Sequence, residues 1–152
     1  MSKLKWTIKG QLEVVYTGTL KNMERYTGWA VLDDYGQGEC VEGVKVGQWE
    51  YFHQDGKPMM IEEYNDKGQK HGPSQAFHNN GQLERDCYYE NGKNSRDSLH
   101  YWEDGSLKSH IRYSPEGLIL ESKTYYPTTG VLRDHQIMER RKVDRRWKTR
   151  LL

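Results

Sequence analysis

From Leu83 the side chains alternate. Leu83, Arg85, Cys87 and Tyr89 fall on one side of an extended chain, and Glu84, Asp86 and Tyr88 on the other. The stretch from Leu107 repeats the pattern, with Leu107, Ser109, Ile111 and Tyr113 opposed to Lys108, His110 and Arg112. A period of two is the mark of a strand with one packed face. The runs follow Asn80-Gly81 and Asp104-Gly105, and Asp55-Gly56 stands in the same register one copy earlier. Such dipeptides favour tight hairpin turns, because Gly and Asn or Asp tolerate positive φ.

The phrase recurs along the chain. Gly56, Gly81, Gly105 and Gly130 are spaced by 25, 24 and 25 residues, and Gly68, Gly92 and Gly117 by 24 and 25. Phe52, Phe77, Tyr101 and Tyr126 keep the same register, as do Tyr64, Tyr89 and Tyr113. Gly10-Gln11-Leu12 resembles Gly81-Gln82-Leu83 and suggests an earlier, degenerate copy. The predicted fold is all-β: hairpins of 24–25 residues stacked edge to edge in an antiparallel meander. One hairpin is not stable alone in water, so each copy depends on its neighbours. Stacking predicts a column of rings from Phe52, Phe77, Tyr101 and Tyr126, with Leu83, Leu107 and Leu132 as a second column.

These patterns divide a single domain, 1–152, into three parts: a degenerate repeat or cap over 1–46, repeats over 47–132, and a basic cap over 133–152. In the last part Val143, Trp147 and Leu151 recur every four residues between arginines, which predicts a C-terminal helix covering the open edge of the last strand. The alternative is a basic arm for nucleic acid or anionic lipid.

Composition narrows the picture. Hydrophobic residues make up 34% of the chain and charged residues 30%, while 11 Tyr and 5 Trp supply much of the apolar area. That suits a thin structure in which amphipathic rings provide the burial. Cys40 and Cys87 form no CxxC pair, and Cys87 alternates with Leu83, as a small packed residue would. No apolar run has the length of a signal peptide or membrane span, so the expected address is the cytoplasm with reduced thiols. The net charge of +1 conceals an asymmetry: residues 133–150 carry +5 and the remainder −4. Charge of this kind speaks about partners rather than fold.

The stretch Gly47–Gly72 resembles the MORN-repeat variant, a hairpin unit of the form G-x-W-x-x-[YF]…[DN]-G…Y…G-x-x-x-G. Gly47, Trp49, Phe52, Gly56, Tyr64, Gly68 and Gly72 carry the resemblance, which extends over about residues 47–132. Later copies depart from it: Trp49 becomes Ser74 and then Ser98, and the glycine of Gly47 and Gly72 gives way to Arg96. The family includes bacterial antitoxins of the YwqK type and immunity proteins paired with secreted toxins. The resemblance therefore implies a non-enzymatic antitoxin or immunity protein that binds a cognate toxin acting in the cytoplasm and blocks its active site. It also implies an alternative, a MORN-type membrane-lipid-associating or scaffold protein using the basic tail.

No nucleophile elbow, phosphate-binding loop or HExxH signature is present, and no cofactor or metal is expected. His53 and His78 would stand side by side on adjacent repeats, but a zinc site needs three or four ligands. Asp33-Asp34 and Glu62-Glu63 read as solvated faces, since acid–base work needs a shaped cleft. If Phe52 and Tyr64 face the packed side, the opposite side presents aromatic, Met and His residues suited to recognition. The candidate partner-binding set is Trp49, Tyr51, His53, Met59, Ile61, Tyr88, His100, Trp102 and His110. The other reading of that side is that the first 45 or so residues, or the C-terminal segment, fold over it. A protein toxin is the expected partner, with no nucleic acid and no membrane expected.

Overall fold

A computed structural model describes the backbone of residues 5–9, 12–17, 24–32, 35–140 and 147–149, with side chains described within 25–32 and 35–138. The described residues form fourteen strands and no helix. They are β1 (Lys5–Lys9), β2 (Leu12–Thr17), β3 (Glu24–Arg25), β4 (Gly28–Leu32), β5 (Gly36–Val41), β6 (Val44–Phe52) and β7 (Pro58–Tyr64). These are followed by β8 (Lys70–Phe77), β9 (Leu83–Glu90), β10 (Lys93–Tyr101), β11 (Leu107–Tyr113), β12 (Ile119–Tyr125), β13 (Leu132–Arg140) and β14 (Trp147–Thr149).

From β4 to β14 every strand pairs antiparallel with its successor, which is the expected meander. β1 and β2 form a hairpin, β3 pairs with β2, and β2 meets β6 at Val14 and Val44. The turns explain the spacing of the glycines. His53 N–H donates to the Lys57 carbonyl at 2.8 Å and Gly56 N–H to the His53 carbonyl at 2.9 Å, and the same pair of bonds recurs at His78–Gln82 and Trp102–Ser106. Gly56, Gly81 and Gly105 sit at φ of 81°, 83° and 80°, where a residue with a Cβ is strained. Asp55, Asn80 and Asp104 each accept a backbone N–H two residues on, fixing the turn.

The register aligns residues in rows across the sheet. One row runs Leu32, Gly36, Tyr51, Met60, Ala76, Arg85, His100, Ser109, Thr124, Asp134. Beside it run Ala30, Gly38, Trp49, Glu62, Ser74 and Cys87, and further along Ser98, Ile111, Ser122 and Gln136. These rows form the inner face. Its core is Ala30, Leu32, Cys40, Trp49 and Tyr51, against which Tyr26, Met59, Met60 and Tyr64 pack. Gly38 admits the Trp49 ring: a Cβ there would lie 2.5 Å from it. Along the rows Trp and Tyr give way mostly to Ser, Thr and His, so among the described residues the core lies in β4 to β7.

The packed side differs from the expectation. Trp49 is 0% and Tyr51 3% exposed, and both face inward. Tyr64 joins them, but Phe52 does not follow the assumed alternation, because the pairing slips between Tyr51 and Phe52. The fourth member of the ring column is also corrected. Phe52, Phe77 and Tyr101 are the last ladder residues of their strands, opposite Pro58, Leu83 and Leu107. In the next hairpin it is Tyr125 that pairs, with Leu132. Tyr126 N–H instead donates to the Val131 carbonyl, so this turn is one residue longer, and Tyr126 is 50% exposed.

The C-terminal helix is replaced by strands where the chain is described. Residues 132–137 of β13 pair with β12, and Trp147–Thr149 pairs with Met138–Arg140. The edge of β12 offers residues 132–137 a backbone partner, and Leu132, Asp134, Gln136 and Met138 alternate as an added strand requires. Val143 and Leu151, two members of the expected helical seam, lie outside the described residues.

Candidate partner-binding platform

The inner face at the first complete repeat is a polar network set among aromatic rings. Lys45, 3% exposed, donates to Tyr51 Oη at 2.7 Å and lies 4.6 Å from the centre of the Trp49 ring. Tyr51 Oη is 3.3 Å from Tyr64 Oη, and Tyr64 Oη donates to Glu62 at 2.8 Å. Burial, reinforced by Tyr51 and the Glu62 carboxylate, pushes the Tyr64 phenol far above its ordinary range, so it remains a donor. Glu62 is 2% exposed and also holds Lys70 and, at 3.4 Å, Ser74 Oγ. Two buried charges are tolerable only when hydrogen-bonded in this manner. The network ties β6, β7 and β8 together and acts as structure. Cys87, 5% exposed, packs on the same face with its Sγ 3.4 Å from the Ser74 carbonyl oxygen.

The nine candidate residues are divided by the fold. Trp49 and Tyr51 are core residues and are thereby removed from a contact surface. Met59 packs against that core. His53 and His78 bind backbone: their Nε2 atoms lie 3.0 Å from the carbonyl oxygens of Phe77 and Tyr101. A carbonyl only accepts, so both rings carry the proton on Nε2. His100 lies on the inner face, its Nε2 3.2 Å from Ser98 Oγ. Trp102 takes the position equivalent to His53 and His78, but its Nε1 is buried without an acceptor, and Lys108 Nζ sits 4.6 Å from the ring centre. Three candidates share the outer face: Ile61, Tyr88 and His110. His110 Nε2 is 2.8 Å from Asp97 Oδ2, and the Arg96 guanidinium lies 4.1 Å from the centre of the Tyr88 ring.

The outer face has an order that apolar candidates alone could not reveal. One row runs Val31, Gln37, Glu50, Ile61, Gln75, Asp86, Leu99, His110, Lys123, His135 across ten strands. Glu39, Glu50, Glu63, Asp86 and Asp97 make the half from β5 to β10 acidic, with Arg96 among them. Arg112 and Lys123 make the half from β11 to β13 basic around Glu121. Glu121 is held by Lys123 at 3.0 Å, His135 at 2.6 Å and Arg112 at 3.2 Å. The signal was present in the sequence as the residues opposite Arg85, Cys87, Ser109 and Ile111. Among the described residues, no three His, Cys, Asp or Glu side chains converge where a metal ion could sit.

The sequence matches the family described as MORN repeat variant at residues 45–66 and 70–91, two adjacent copies that cover β6 to β9. No curated protein matches the chain. Among solved structures, TarM aligns at 15% identity over 64% of this chain, with a TM-score of 0.39. The chain spans 18% of the length of TarM.

Proposed function

We propose that this sheet of MORN-variant repeats is a non-enzymatic antitoxin or immunity protein, which binds a cognate toxin acting in the cytoplasm and covers its active site. The repeats mark a repeat-built protein-interaction domain. The observation that carries the reading is the outer face: a row uninterrupted from β4 to β13, with Ile61 and Leu99 set among carboxylates on its acidic half. A basic partner is steered to such a surface, and complementary charge speeds association. Ile61, Tyr88 and His110 are the candidate contacts that remain on it.

Co-expression with the product of the neighbouring open reading frame tests the reading. That product should be toxic alone and harmless in the presence of this protein, and the pair should co-purify. Reversing Glu50 and Asp86 to Lys should slow association and invert its salt dependence. A product that is harmless alone, or lethal despite this protein, removes the proposal.

The basic half supports a second reading, attachment to anionic lipid or a scaffold role. Arg112 and Lys123 share the outer face beside Glu121, and Lys108 and Arg133 add positive charge to the same strands. Flotation with anionic vesicles separates the readings, using Lys123→Glu with Arg133→Glu, since truncation at 133 would remove β13 from the sheet.

A further inference from the structure

We propose that Arg85 and His100 form an oxyanion-binding site on the inner face, where a carboxylate or phosphate group seats against the guanidinium. The two residues are directly opposed across β9 and β10, and Arg85 is directly opposed to Ala76 across β8 and β9. The Arg85 side chain passes over Ala76 and brings Nη2 to 3.7 Å from Met60 Sδ. A thioether is a weak acceptor for a charged donor. Nε is buried and has no acceptor. The adjacent Asp86 lies in the outer-face row, Glu84 is the unpaired residue of the bulge before Arg85, and among the described residues Arg85 is in no ion pair. A half-buried guanidinium is thus held in place with no carboxylate hydrogen-bonded to it, which is costly unless an anion is bound.

The surroundings suit an anion. Ser109 lies beside His100 in the same row, and Ser98 Oγ touches its Nε2, so hydroxyls flank the imidazole. Burial, followed by the charges of Arg85 and Lys108, holds His100 below its ordinary range, while Glu84 acts weakly in the other direction. The local potential is therefore positive, and the small side chains of Ala76 and Ser109 leave the guanidinium as the dominant group of the row.

The experiment follows the Arg85 Nε–H and His100 ring resonances of the full chain during titration with sodium phosphate and with sodium acetate. Sodium chloride at equal ionic strength is the reference. The expected result is a saturable shift of both residues, with His100 titrating at higher pH once the anion is bound. Saturation by phosphate alone assigns a phosphate-type ligand, and saturation by acetate assigns the carboxylate of a peptide or protein chain. Arg85→Met, which covers Ala76 without charge, should abolish the response at His100, and Arg85→Lys should retain part of it. If Arg85→Met does not fold, His100→Asn is examined at the Arg85 resonance and should bind more weakly. Shifts that are linear and equal to those in chloride overturn the proposal, as does a saturable response that survives in Arg85→Met. Neither outcome bears on the outer face or on toxin binding.

Discussion

His53 Nε2 lies 3.0 Å from the carbonyl oxygen of Phe77, one repeat further along the chain, and His78 makes the same contact with Tyr101. The bonds join the ends of successive hairpins. They form a ladder beside the backbone ladder, built from one residue per repeat. It stops at Trp102, where the side chain is an indole and the next turn is one residue longer.

Removal of a rung leaves a half-buried carbonyl without its donor. His53→Ala and His78→Ala should each cost about 1–3 kcal/mol, read from urea denaturation. His78→Gln, which retains an N–H donor, should recover part of the loss.

Gly38, opposite Trp49, and Gly47, two residues before it, should fail for different reasons. Gly38→Ala drives a Cβ to 2.5 Å from the Trp49 ring and should cost about 1–3 kcal/mol by overpacking. The near-ultraviolet circular dichroism of Trp49 should change with it. Gly47→Ala meets nothing within 4 Å but must hold φ at 63°, a strain of about 1–2 kcal/mol. The spectrum of Trp49 should then be retained.

Glu62 is the buried acceptor shared by Tyr64, Lys70 and Ser74. Glu62→Ala leaves these donors around an empty position and should destabilise by about 3–5 kcal/mol. Lys70→Met removes the more exposed partner and should cost less. Thermal or urea unfolding of the two single variants and the double variant gives the coupling.

Glu121 sets an acid limit. Its hydrogen bonds to Lys123 and His135 hold the carboxyl down to about 2 from an ordinary 4.5. A group depressed in the folded state contributes fully above its unfolded value and loses that contribution as pH falls toward the folded one. The urea midpoint should therefore decline as pH drops from 4.5 toward 2. In Glu121→Gln this part of the pH dependence should be flatter.

The turns and the meander were legible because the chain states them locally. Asp55-Gly56, Asn80-Gly81 and Asp104-Gly105 carry both the φ requirement and the side-chain acceptor of the turn. The alternation after Leu83 also predicted facing residues, with Cys87 buried and Asp86 in the outer row, while a bulge at Glu84 interrupts it. The packed face near Tyr51 was not legible, because aromatic residues stand on both sides of Trp49-Glu50-Tyr51-Phe52 and a bulge resets the count. Tyr126 was misplaced by one added turn residue, which the glycine spacing conceals, since Gly130 keeps the period while the ladder residue does not. Leu132–Arg140 became a strand because an open edge was available to it, and that is a tertiary circumstance. Of the candidate contacts, Trp49 and Tyr51 lie in the core, and the charges that organise the outer face show their order only once the strand faces are set.

The decline from Trp49 and Tyr51 to Ser98, Ser122 and Thr124 along the inner rows also gives the sheet a direction in time. Amide protons should be retained longest in β5 to β8, and the hairpins beyond β10 should fray first, each opening exposing the next. A chain built in this way closes like a zip from its aromatic end, and its distal hairpins remain the most readily reshaped when another molecule settles on them.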